Sequence, residues 1–224
     1  MCGRFVGFRS LEELKAFFPI DEAACDAISN YNVAPSQEIL AIAKFKGANW
    51  LVKFHWGLVP FWARDISIGN RMINARSESI AEKPSFRNAF KKRRCLILAD
   101  GFYEWKGEKG RKQPMFIRLP DHKPFAFAGL WESWNKKDDQ NSIYKSCTII
   151  TTQASESFRE IHHRMPVILN QPAYESWLDP ENQNVVELGK MLKNEIVTEL
   201  VSNPVSKQVN STRNNDPSCI EPIE

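Results

Sequence analysis

Apolar positions recur mostly at every second residue in short runs, so the pattern predicts strands more often than helices. Cys2 to Phe8 alternates in this way and reads as a strand. Ser10-Leu11-Glu12-Glu13 carries the Ser-x-x-Glu signature of a helix start, and Pro19 stops that helix. Glu38 to Phe45 and Trp50 to Trp56 read as the two strands of a hairpin across the Lys46-Gly47 turn. Ser85 is placed to cap a short helix that runs through Lys92. Cys95 to Ala99 is an unbroken apolar run, short enough for a buried strand. Gly101 interrupts it, and Phe102 to Lys106 resumes extended structure. A polar turn over Gly107 to Gly110 leads into a returning strand at Pro114 to Leu119. Phe125 to Trp131 and Tyr144 to Thr152 add two more strands. Helices are predicted over Ser155 to Ile161, Pro172 to Trp177 and Val185 to Leu192, and a last short strand over Val197 to Val201. Many strands joined by short turns, with helices set apart, imply an α+β fold with a largely antiparallel, barrel-like core and peripheral helices. Residues 1–202 are expected to form one domain, and 203–224 a polar, partly ordered tail.

Composition narrows the class. The 224 residues are 42% hydrophobic, enough for one domain with a sizeable core. No apolar stretch approaches a membrane span, and the N-terminus has no basic region followed by an apolar run, so neither membrane insertion nor secretion is expected. The five cysteines (Cys2, Cys25, Cys95, Cys147, Cys219) are odd in number, and no His/Cys spacing suits a metal. A reduced, cytoplasmic protein without metal or other cofactor follows. The net charge of +3 is mild but uneven. Between Arg87 and Lys112 nine Lys/Arg face three acids, which is either a solvated face or a phosphate-facing patch.

Four segments carry candidate chemistry. Removal of Met1 would leave Cys2 with both an α-amine and a thiol. A 1,2-aminothiol condenses with an aldehyde to an imine and then closes a thiazolidine ring. The same pair could instead attack a carbonyl, with the amine as base. Arg4 is close enough in sequence to lower the thiol pKa. The alternative is a Cys that is buried and inert. In Asn74-Ala75-Arg76, extended backbone puts Asn74 and Arg76 on one face, where both could reach one ligand. Glu104, among Phe102, Tyr103 and Trp105, is either a general acid/base in an apolar setting or an exposed strand carboxylate. His162 and His163 stand side by side before Arg164. Adjacent side chains diverge, so at most one of them serves in proton transfer.

Met-Cys-Gly-Arg at the N-terminus, Asn30-Tyr31-Asn32-Val33-Ala34-Pro35, Trp56-Gly57-Leu58-Val59-Pro60-Phe61-Trp62, Asn-Ala-Arg-Ser-Glu, Arg94-Cys95-Leu96 running into Gly-Phe-Tyr-Glu-Trp, and His-x-Arg-Met-Pro occur here in that order. Together they resemble the SOS response-associated peptidase (SRAP) family, from Cys2 to about Leu178. The resemblance implies recognition of abasic sites in single-stranded DNA, with Cys2 cross-linked to the sugar aldehyde through a thiazolidine. It implies that Asn74 holds the Cys2 amine or sugar oxygens, that Glu104 is the acid/base, and that His162 assists proton transfer. Arg4, Arg76 and Arg164 would clamp phosphates. Trp62, Trp105, Pro35 and Pro60 would stack on or wedge apart flanking bases, and Thr151 would join the DNA contacts. The expected unit is a monomer, found with the nucleoid when bound to DNA. The family name also records an autoproteolytic peptidase activity that the same Cys, Glu and His could serve. Two other readings remain at this stage: an N-terminal-nucleophile amidohydrolase of the class II glutaminase type, and a non-covalent single-strand-binding module.

Overall fold

The computed structural model describes residues 2–108, 110–135 and 143–223. In chain order its strands are β1 (Phe5–Gly7), β2 (Glu22–Ala23), β3 (Asn30–Val33), β4 (Glu38–Phe45), β5 (Ala48–Trp56), β6 (Asn74–Arg76), β7 (Arg94–Ala99), β8 (Gly101–Lys106), β9 (Gln113–Arg118), β10 (Phe125–Asn135), β11 (Ile143–Gln153), β12 (Arg164–Pro166), β13 (Ile168–Leu169) and β14 (Val201–Pro204). Among the described residues the α-helices are α1 (Leu11–Lys15), α2 (Arg87–Lys92), α3 (Tyr174–Leu178) and α4 (Val185–Asn194). No helix among the described residues is long and apolar enough to cross a membrane.

The larger sheet runs β12-β11-β10-β7-β4-β5-β2, and β5 also pairs with β11. That pairing closes β11, β10, β7, β4 and β5 into a ring. The first four pairings are antiparallel and the closing one is parallel, as an odd number of strands requires. Period-two alternation sorts the two faces of the ring. Ala41, Ala43, Phe54, Trp56, Cys95, Ile97, Phe127 and Ile149 pack in one cluster together with Cys2 and Phe5. Ile42, Leu51, Leu96, Leu98, Ala126 and Ile150 face the opposite way, against Phe90, Trp177 and Leu188 of the helices. Both faces are covered, which is why β7 reads as a continuous apolar run. The fold class is therefore the expected one: an antiparallel, barrel-like α+β core with helices outside.

Local chemistry accounts for the best-placed boundaries. Ser10 and Glu13 form the full capping box at the start of α1. Lys46 and Gly47 both take positive φ, 51° and 86°, which suits a two-residue hairpin between β4 and β5. Three expectations fail. α2 begins after Phe86 without a side-chain cap, so Ser85 does not cap it. Residues 155–161 form hydrogen-bonded turns rather than a helix, because Ala154 N donates to His163 O and closes this stretch into a short loop. The last strand lies at Val201–Pro204, one step beyond the predicted Val197 to Val201. The Gly107 to Gly110 turn contains Lys109, which lies outside the described residues.

The smaller sheet is antiparallel throughout, in the order β14-β9-β8-β1-β3. Its outer face is covered by the segment expected to be a polar tail. Val205, Val209 and Cys219 are fully buried beside Val6, Tyr103 and Phe116. The polar composition of this segment serves its turns, since Ser206 and Asp216 accept the backbone N–H groups of Gln208 and Ser218. Gly101 marks where β7 hands over to β8. A Cβ there would lie 2.3 Å from the Phe116 ring and 2.8 Å from Ile117 O. Gly101→Ala is accordingly expected to destabilise the fold by about 1–3 kcal/mol, read as a lower urea midpoint at an unchanged slope.

Candidate active site

Cys2 lies just ahead of β1 and is fully buried. Its Sγ makes a weak contact with Arg4 O at 3.9 Å. Burial, and after it the negative charge of Glu104, push the thiol pKa well above its ordinary value. The expectation that Arg4 lowers this pKa is corrected by the geometry, because the Arg4 guanidinium turns the other way. It donates to Asn32 Oδ1 at 2.6 Å, Val209 O at 2.8 Å and Asn210 O at 3.2 Å. Sulfur at this position is a thiol at neutral pH, so any reaction through it needs a base to take the proton as the bond forms. Met1, whose removal would expose the amine, lies outside the described residues.

Asn74 opens β6, which adds to β11 in parallel through the pairings Asn74↔Ile149 and Thr151↔Arg76. This ladder brings the Asn74 amide to the Cys2 backbone, with Nδ2 donating to Cys2 O at 2.8 Å. Among the described residues Asn74 Oδ1 is buried and accepts no hydrogen bond. Glu104 sits on β8 opposite Met115 and is only 4% exposed, so it is the embedded carboxylate and not a surface one. Its charge acts on both the Cys2 thiol and the His162 ring.

His162 closes the loop between β11 and β12. Its Nδ1 lies 2.9 Å from the Arg164 N–H and 3.0 Å from Arg164 O, so it accepts from the first or donates to the second according to its tautomer. Partial burial, partly countered by Glu104, holds its pKa below the usual histidine range, so the ring is neutral at pH 7. His163 stacks on it at 4.3 Å and is exposed. Cys2, Asn74, Glu104 and His162, far apart in sequence, thus share one locale.

The residues expected to meet DNA divide by exposure. Trp62 is 47% exposed beside an exposed Phe61, on a loop tethered by the Trp134 Nε1–H bond to Ala63 O at 2.7 Å. Arg76 is exposed, and Pro35 and Trp105 are half-buried. Pro60, Thr151 and Arg164 are buried. Arg164 ion-pairs with Glu78 through two contacts, 2.5 and 3.0 Å, and donates to Thr151 O at 2.7 Å. It braces β12 against the turn after β6 and does not point a free cation at solvent. Two cations of the basic excess between Arg87 and Lys112 are engaged within the fold. Arg93 pairs with Glu132 at 2.7 Å. Arg94 is buried, its pKa lowered to about 10 by desolvation, and donates to backbone oxygens of Phe90, Lys91, Trp177, Asp179 and Asn182.

Sequence reasoning did not single out Asn32, Asn210, Glu78 or Phe61. Asn32 and Glu78 stand inside recognised motifs, but only the tertiary contacts give them a task.

A family model described as SOS response associated peptidase (SRAP) matches residues 1–212. The chain is 45% identical over 224 residues to the abasic site processing protein YoqW of Bacillus subtilis (strain 168), with 99% of each chain covered. It is 36% identical over 197 residues to the abasic site processing protein HMCES of Gallus gallus, covering 78% of this chain and 58% of that one. A crystal structure of a protein from Bacteroides thetaiotaomicron superposes with a TM-score of 0.85 at 26% identity, both chains being fully covered. A phage-related protein from Bordetella bronchiseptica superposes with a TM-score of 0.73 at 27% identity, covering 92% of this chain and 95% of that one.

Proposed function

We propose, from the premise that this chain belongs to the SRAP family, that it senses abasic sites in DNA and shields them by a covalent bond. The observation that carries this reading is the meeting of Asn74 and Glu104 at Cys2, with the His162 ring under the charge of that same Glu104. The relatives named as abasic site processing proteins support the substrate class. Single-stranded DNA is the form that suits the exposed Trp62 and Phe61, since an unpaired base offers a face to stack on. A single lesion fills a single site, so the working unit is a monomer.

Once Met1 is gone, the Cys2 amine adds to C1 of the ring-opened sugar. The carbonyl oxygen takes up two protons, replacing the two that the amine gives up, and leaves as water, giving the imine. Cys2 Sγ then adds to the imine carbon, its proton passes to the Glu104 carboxylate, and the imine nitrogen gains one. The balance is aminothiol plus aldehyde to thiazolidine plus one water. Asn74 Nδ2 fixes the Cys2 carbonyl, and its buried Oδ1 is the acceptor we assign to the amine. The neutral His162 ring relays protons between solvent and Glu104. A buried thiol beside a carboxylate favours this order, amine first and sulfur second, because the sulfur is not ionised in advance. A peptidase that cleaves its own N-terminus could draw on the same three groups, but it would leave the pairing of amine and thiol unused.

The test is to incubate the purified protein with a single-stranded oligonucleotide carrying an abasic site and boil it in SDS. A shifted band supports the reading, and its absence overturns it. Ammonia release from glutamine with ordinary turnover would favour an amidohydrolase instead. Mass spectrometry of the intact protein reports Met1, and its retention would block the amine chemistry. For Arg76→Ala we expect weaker binding to unmodified single strands and a salt slope reduced by about 0.7, one phosphate equivalent. An unchanged slope would remove Arg76 from the contact set.

A further inference from the structure

The C-terminal segment bears on this site from behind. Asn32 is 1% exposed and holds two things at once. Its Oδ1 accepts from Arg4 Nη1, while its Nδ2 donates to the carbonyls of Val209 at 3.1 Å, Ser211 at 3.0 Å and Asn214 at 2.8 Å. Three carbonyls around one NH2 fix which end of the amide is which. The Arg4 guanidinium is thereby held by Asn32, Val209 and Asn210, all neutral, and no carboxylate lies within ion-pair distance of it among the described residues. The same segment holds the aromatic neighbour. Trp105 Nε1 donates to Asn210 Oδ1 at 2.7 Å, and Arg4 Cζ lies 6.0 Å from the Trp105 ring. Tyr31 N donates to Asn215 Oδ1 at 2.6 Å, and Tyr103 OH bonds Tyr31 O at 2.7 Å and Cys219 O at 3.3 Å.

We propose that Asn32 and the strap formed by residues 206–220 are positioning elements of the DNA site. They hold Arg4 as an unneutralised cation, two residues from Cys2 and beside Trp105, where it takes a phosphate next to the lesion. This rests on the reading that the chain binds abasic single-stranded DNA. The contrast with Arg164 and Arg93 gives the reason. Those guanidiniums are neutralised by Glu78 and Glu132, and so have little left to offer a phosphate. Carbonyl dipoles fix the direction of Arg4 without cancelling its charge, so the attraction for an anion survives. Val209 O accepts from both Arg4 and Asn32, so strap, amide and guanidinium form one network.

The experiment measures binding to unmodified single-stranded DNA against salt in wild type, Arg4→Ala, Asn32→Ala and the double variant, with thermal melting of each. We expect Arg4→Ala and Asn32→Ala to lose the same slope, about 0.7, and the double variant to lose no more than either. A folded Asn32→Ala with an unchanged slope, or losses that add in the double variant, would overturn the inference. Where Asn32→Ala melts below the assay temperature, Asn210→Ala takes its place in the cycle with Trp105→Ala. Asn210 has an exposed side chain, so its removal tests the strap without a cavity. Equal, non-additive loss of affinity supports the strap, and wild-type affinity in Asn210→Ala overturns it. Wild-type cross-linking to the abasic oligonucleotide is run alongside. Its absence defeats the parent reading, whereas its presence with additive losses defeats only this one.

Discussion

Cys2→Ser should leave a protein that still condenses with the abasic aldehyde but forms no adduct that survives boiling. The substitution keeps the α-amine and removes only the sulfur. The amine can still reach C1 and lose water to give an imine, which hydrolyses on heating. Ring closure is what makes the product persist, and a serine hydroxyl is a far weaker nucleophile than a cysteine sulfur at neutral pH. The boiled gel should therefore show no shifted band for Cys2→Ser, and a band should return when borohydride reduces the imine to a secondary amine before boiling. Cys2→Ala should behave in the same way. The side chain at position 2 is fully buried beside Phe5 and Trp56, but serine is slightly smaller than cysteine, so the fold should tolerate it. A heat-stable, unreduced adduct at the wild-type level in Cys2→Ser would remove the thiazolidine from the mechanism. Loss of the borohydride-trapped band as well would mean that the thiol, and not the amine, makes first contact.

Glu104→Gln carries the second large effect, and two consequences of the substitution oppose each other. Loss of the carboxylate's charge relieves part of what raises the Cys2 thiol, which favours thiolate. Loss of the carboxylate also removes the group that takes the thiol proton as the sulfur adds. Burial of Cys2 is the larger cause of its raised pKa and is untouched by the change, so the thiol stays mostly protonated at pH 7. The proton-transfer loss should win. We expect single-turnover cross-linking to slow by about 10²–10⁴-fold, while binding to unmodified single strands changes little. The amide is nearly isosteric, so the pairing of β8 with β9 should persist and the melting temperature should report it. A faster reaction in Glu104→Gln would mean that Glu104 acts only as a charge. Binding and rate falling together would mean that it shapes the DNA site instead.

Much of the local structure was legible because its causes are local. The Ser10–Glu13 box and the Lys46-Gly47 turn are decided by residues within reach of each other, and both are seen. β7 was legible as a buried strand from its apolar run alone. β3 was not, because Asn30, Tyr31 and Asn32 carry no alternation, and the strand exists by pairing with β1. β6 is three residues long and is held by β11 in parallel, a pairing separated by more than seventy residues. The segment 203–224 was expected as a polar, partly ordered tail; its Ser206 and Asp216 cap short turns, while Val205, Val209 and Cys219 are buried.

For the site, the sequence by itself determined the chemistry on offer: an aminothiol once Met1 is removed, a carboxylate among aromatics, and a pair of histidines. What a side chain can react with is a property of its atoms, and the sequence states those atoms. Only the tertiary structure decided which groups are available. Arg4, Arg76 and Arg164 are the same residue type, yet Arg164 is spent on Glu78, Arg76 faces solvent, and Arg4 is held by neutral carbonyls. A charge acts on a ligand only as far as its nearest partners leave it uncancelled, and those partners lie from 28 to more than 200 residues away along the chain.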